Sequence, residues 1–164
     1  MHREGHVGAA LLAYAPVGAL TLALGFGTLA LLGAGGAVVL AMLPDYDQRV
    51  PGLEHRGPTH TVWFALAVGV VLAVLGGLSG AEHGLLSALA LAVWASVVGV
   101  ATVGSHILAD ALTPAGVRPL APYRDDFYCH DLARARNPLA NYALLALGML
   151  AAGAALALGN LLAA

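Results

Sequence analysis

The chain has 164 residues, of which 60% are hydrophobic and only 10% charged, and its mean hydropathy is +0.83. A soluble domain carries about 25% charged residues, so this composition excludes an ordinary water-soluble fold and marks an integral membrane protein. The net charge of −2 gives no reason to expect a nucleic-acid partner, and a single cysteine excludes an internal disulfide.

The first apolar run extends over residues 7–43. That is too long for one span and long enough for two short ones, since a bilayer core of about 30 Å takes roughly 20 helical residues. Its length also argues against a cleavable signal peptide. A glycine-marked turn near Gly25–Gly27 divides it into spans over 7–24 and 27–43. Spans over 60–80, 84–110 and 138–162 follow, with a polar loop at 112–137. The expectation is an all-α, multi-pass helical bundle of about five spans forming a single membrane domain over 1–164.

Five spans place His6, Asp45, Asp47, His55, His60, His106, Asp110 and the 112–137 loop on one side. His83 and Glu82 fall on the other. All seven basic residues are arginines, Arg3, Arg49, Arg56, Arg118, Arg124, Arg134 and Arg136, and all lie on the first side. By the positive-inside rule that side and the amino terminus are cytoplasmic and the carboxyl terminus is outside.

Chemistry concentrates on that face. In "SHILAD", His106 and Asp110 stand at i, i+4 on one helical face, about 5–6 Å apart at Cβ, a spacing suited to two ligands of one cation. Thr102 lies one turn earlier, where it can support them. In "LPDYD", Pro44 stops the helix, and Asp45 and Asp47 point the same way if the segment is extended. In "HRGPTH", Gly57 and Pro58 read as cap and first helical position, which puts His60 in the first turn of the third span. His6 borders the first span. Ionisable groups at a span are costly and mark function. His6, Asp45, His60, His106 and Asp110 are therefore candidate metal ligands, with Asp47 or His55 as general base or further ligand. Arg56 lies beside them as an anion contact, and Arg118 and Arg124 are further candidates to hold an anionic substrate group. No nucleophile elbow or phosphate-binding glycine loop is present, so chemistry would come from metal-activated water. Zinc suits the mixed His and Asp donors best, as one or two ions.

The segments "GHVGAALLAY", "LPDYD", "HRGPTH" and "SHILADALTPAGVRPLAPY", in that order, resemble the YdjM-type family of membrane-bound metal-dependent hydrolases. The resemblance runs from His6 to Tyr123 and includes Thr113 and Gly116 after the fourth span. That family is distantly similar to the helical zinc-dependent phospholipase C and P1-nuclease group, although nothing here matches the amino-terminal tryptophan ligand of those soluble enzymes. The resemblance implies a hydrolase. A site level with the headgroups directs the expectation to a phosphoester, a phospholipid or another amphiphile carrying a phosphate. Two rivals use the same residues, a metal-handling transporter and a non-enzymatic structural or regulatory membrane protein. Oligomeric state is not legible in the sequence.

Overall fold

The computed structural model describes residues 1–163. Five α-helices follow one another: α1 (Arg3–Ala23), α2 (Gly27–Leu40), α3 (Val62–Ala81), α4 (Leu85–Ala111) and α5 (Pro138–Ala163). Among the described residues there is no strand; one isolated antiparallel bridge joins Val117 to Tyr128. Four helices are long and apolar enough to cross a membrane, and α2 is a shorter apolar helix. Leucines and valines such as Leu31, Leu78, Leu86 and Leu150 stand exposed on their outer faces, a surface that hydrocarbon solvates and water does not.

The first apolar run breaks where its glycines mark it. After α1 the chain turns through Gly25 at φ +83°, a left-handed conformation open to glycine at no steric cost, and α2 begins at Gly27. Helix α1 is the most enclosed of the membrane-length helices and touches α2, α4 and α5. Its approach to α5 is backbone to backbone. A Cβ on Gly8 would strike the Leu144 backbone, and one on Gly148 would strike Gly8. Apolar solvent gives no hydrophobic drive between helices, so such close small-residue contact supplies the packing. Polar ties add to it: the Tyr14 hydroxyl donates to the Ala30 carbonyl at 2.7 Å, and Trp94 Nε1 donates to Thr21 Oγ1 at 3.0 Å.

Two expectations change at the helix ends. Asp45 and Asp47 lie in a 3-10 helix, Pro44–Arg49, rather than an extended segment. His60 closes a separate short 3-10 helix, Pro58–His60, and precedes α3 instead of opening it. The reason is Thr61, extended at φ −115° and ψ 158°. Its Oγ1 accepts from Phe64 N at 3.3 Å and so caps α3 one residue after His60. Asn137 performs the same task for α5, accepting from Leu139 N and Ala140 N.

Candidate metal centre

Two helix ends and two 3-10 turns meet at one end of the bundle. The last turns of α4 supply His106 and Asp110, the turn after α2 supplies Asp45 and Asp47, the turn before α3 supplies His60, and the start of α1 supplies His6. His6, His60, His106, Asp47 and Asp110 are all buried.

Hydrogen bonds settle which imidazole nitrogens are free. His106 Nδ1 lies 2.7 Å from the Ala41 carbonyl, which can only accept, so in the neutral ring Nδ1 carries the proton and Nε2 the lone pair. The Thr59 hydroxyl donates to Asp47 Oδ2 at 2.9 Å and therefore accepts at 3.0 Å from His60 Nδ1, which also lies 3.4 Å from that carboxylate. His60 Nε2 is then a lone pair as well. Yet the two Nε2 atoms face each other at 3.2 Å. With both rings neutral this contact has no hydrogen to share, and a cation held between the two nitrogens would satisfy both.

Both carboxylates complete the arrangement. Asp45 Oδ1 lies 3.5 Å from His60 Nε2 and 3.6 Å from His106 Nε2. Asp110 Oδ2 lies 3.6 Å and 3.9 Å from the same two atoms. Ligands about 2.0–2.1 Å from a tetrahedral ion sit roughly 3.3 Å from one another. The four donors, all within 4.8 Å of one another, have the chemistry and nearly the spacing of a site that could hold a metal ion.

Asp47 stands behind His60 rather than beside Asp45. The two aspartates take opposite ends of one ring, Asp45 near Nε2 and Asp47 near Nδ1. Asp47 also accepts from Arg56 N at 3.2 Å and from His55 Nδ1 at 3.1 Å. Burial alone would raise its carboxyl, but the hydrogen bonds from Thr59 and His55 outweigh it and hold the group below the usual carboxylate range. Asp47 with His55 and His60 forms a second, more open group of possible ligands. His55 remains about two-fifths exposed.

The segments quoted from this sequence follow one family pattern through the centre. The description "YdjM inner membrane protein" fits residues 1–164. The chain belongs to the YdjM inner membrane protein family. No curated protein and no solved structure matches it.

In this family member Arg56 is a strut. Its backbone is left-handed at φ 63°, a strained conformation for arginine that persists because both ends of the residue are held. Nη2 meets Asp110 Oδ1 at 3.0 Å, while Nη1 donates to Thr113 Oγ1 at 3.1 Å and to the Gly116 carbonyl at 3.0 Å. Arg118 pairs with Asp125 and Arg124 with Asp126, and both arginines are exposed. Arg118 does line a cavity of about 740 Å³ that Arg56 shares with Glu54, Trp63, Phe64 and Tyr123, and Arg124 does not. Thr102 is buried with Oγ1 unpartnered.

Several participants leave no mark in the sequence. The Met1 amino group is ion-paired with Asp110 Oδ1. Asn141 of α5 holds that segment in place by accepting from His2 N at 2.8 Å. Thr59 and the Ala41 carbonyl fix the two histidines. A backbone carbonyl and a chain terminus have no side-chain signature, and only Thr59, inside "HRGPTH", offered a signal.

Proposed function

We propose that the chain is a membrane-embedded metal-dependent hydrolase acting on a phosphoester or lipid-like amphiphile at the cytoplasmic face. The observation that carries this reading is the convergence of the His60 and His106 Nε2 lone pairs with the Asp45 and Asp110 carboxylates. Those four residues would hold a divalent ion, zinc by the donor chemistry, which when bound would supply Lewis-acid activation of water. Asp47 orients His60 and keeps its Nε2 free. His55, whose Nδ1 is held by Asp47, offers an exposed Nε2 that takes a proton and returns it to a leaving group. Arg56 ties the centre to the adjoining cavity, where Trp63 and Tyr123 stack edge to face at 5.2 Å beside Arg118. Aromatic rings with an arginine at the end of a span suit an anionic headgroup with its tail in the bilayer.

The test is detergent-purified protein returned to vesicles of bacterial phospholipid. Stoichiometric divalent metal and release of phosphate or headgroup, abolished by His106→Ala, are expected. Protein that retains metal yet releases nothing from any membrane lipid sinks the hydrolase reading and leaves metal handling in its place.

A further inference from the structure

His6 has no place in the four-ligand centre, and its surroundings are unusual. It is 1% exposed, and neither Nδ1 nor Nε2 has a hydrogen-bond partner. A buried polar atom left unpaired costs about 1–3 kcal/mol, so two on one ring call for a reason. Nε2 points at the same two carboxylates that face His60 and His106, but at their other oxygens. It lies 3.5 Å from Asp110 Oδ1 and 3.9 Å from Asp45 Oδ2. The oxygens that approach His60 and His106 are Asp110 Oδ2 and Asp45 Oδ1.

The His6 and His106 rings stack with centroids 3.6 Å apart and planes 7° from parallel. That is closer than the roughly 4.5–7 Å at which aromatic rings pair by preference. Each ring presents Nε2 to one oxygen of each shared carboxylate. Two parallel imidazoles at this separation match the ~3.5–4 Å between the ions of a two-metal site.

We infer that Asp45 and Asp110 bridge two divalent cations, the first held by His60 and His106 and the second by His6 Nε2 with Asp45 Oδ2 and Asp110 Oδ1. The inference rests on the metal reading above and extends it from one ion to a coupled pair. The second position is shared ground, because Asp110 Oδ1 also meets the Met1 ammonium and Arg56 Nη2. An ammonium that keeps this position to itself is the competing arrangement.

Manganese distinguishes the two. Full-length protein in detergent is stripped with chelator, loaded with manganese(II), freed of excess ion, and examined by metal analysis and electron paramagnetic resonance. The expected result is two manganese ions per chain with an exchange-coupled spectrum. His6→Asn, checked for unchanged helicity, should hold one ion with an uncoupled six-line spectrum. One ion per wild-type chain, or two uncoupled ions in both proteins, overturns the bridged pair while leaving a metal centre intact. No bound manganese or zinc in the wild type overturns the metal reading itself. The wild-type spectrum decides the count even if the variant fails to fold.

Discussion

His60 Nε2 and His106 Nε2 lie 3.2 Å apart, each with its opposite nitrogen committed as a donor. Neither neutral ring can move its proton to Nε2 without breaking the hydrogen bond that holds its Nδ1. Both should therefore be required for the ion between them. His60→Ala and His106→Ala are each expected to weaken zinc binding at this position beyond the ~10–100-fold that loss of a mere supporting partner costs. Zinc titration against a competing chelator measures it, and retention of wild-type affinity by either variant removes that residue from the ligand set.

Asp47 is expected to behave as a support. Asp47→Asn keeps the shape but weakens the acceptor behind His60, so zinc affinity should fall about 10–100-fold with helicity unchanged. The same residue makes an acid-stability prediction for chelated protein. Its folded carboxyl titrates below the unfolded value, so the folded state binds fewer protons. The stabilisation is complete above about pH 4, near the unfolded carboxylate value, and is lost as pH falls through the lower folded value. Melting temperatures from pH 5 to pH 3 should drop further in the wild type than in Asp47→Asn; parallel curves would contradict this.

Much of this centre can be read from the sequence, for reasons specific to each residue. The apolar runs set helix lengths, and the i, i+4 spacing puts His106 and Asp110 on one face wherever α4 packs. Gly25–Gly27 marks the first turn because the chain there needs a positive φ. The separate roles of Asp45 and Asp47 are not readable, because an extended pair and a 3-10 pair share one sequence and aim their second carboxylate differently. The Arg56 strut escapes for another reason. Its partners Thr113 and Gly116 lie 57 and 60 residues away, and an arginine near acidic residues looks equally suited to substrate.

Replacement of Arg56 tests that strut. Lysine keeps one charge but lacks the fork that reaches Asp110, Thr113 and Gly116 together. Arg56→Lys should lower stability of the folded protein, and Arg56→Ala by more, about 3 kcal/mol. That is the low end for breaking a buried ion pair, since Arg56 keeps some solvent contact. Unfolding in mixed micelles reports both, and equal stability of all three proteins would show that Arg56 is free to serve another purpose.

The α1–α5 seam carries His6 and Met1 into the centre. Gly8→Leu should cost about 1–3 kcal/mol through overpacking against the Leu144 backbone and should lower metal content as α1 shifts. Exposed Gly35, where an added Cβ meets nothing within 4 Å, is the control. Substitution there by leucine should leave metal content unchanged.

Orientation has its own reporter. Cys129 is exposed in the loop between α4 and α5 and is the only cysteine. If that loop is cytoplasmic, a membrane-impermeant maleimide should label it only after the inner membrane is opened. Labelling in intact spheroplasts would invert the assigned topology.

Helix α2 has only 14 residues, about 21 Å of rise, against a hydrocarbon layer of about 30 Å. A short helix is accommodated by pinching the surrounding lipid or by drawing its ends below the headgroups. The chain leaves α2 through Ala41 toward Asp45, so an end drawn inward there would carry the centre with it. In that arrangement the glycerol level of the adjoining leaflet would come toward the centre, and the proposed lipid substrate would meet the histidines without leaving its own monolayer. Acyl-chain length then becomes a variable of the proposed activity: bilayers of longer lipids should open a gap between headgroup and centre that thinner ones close.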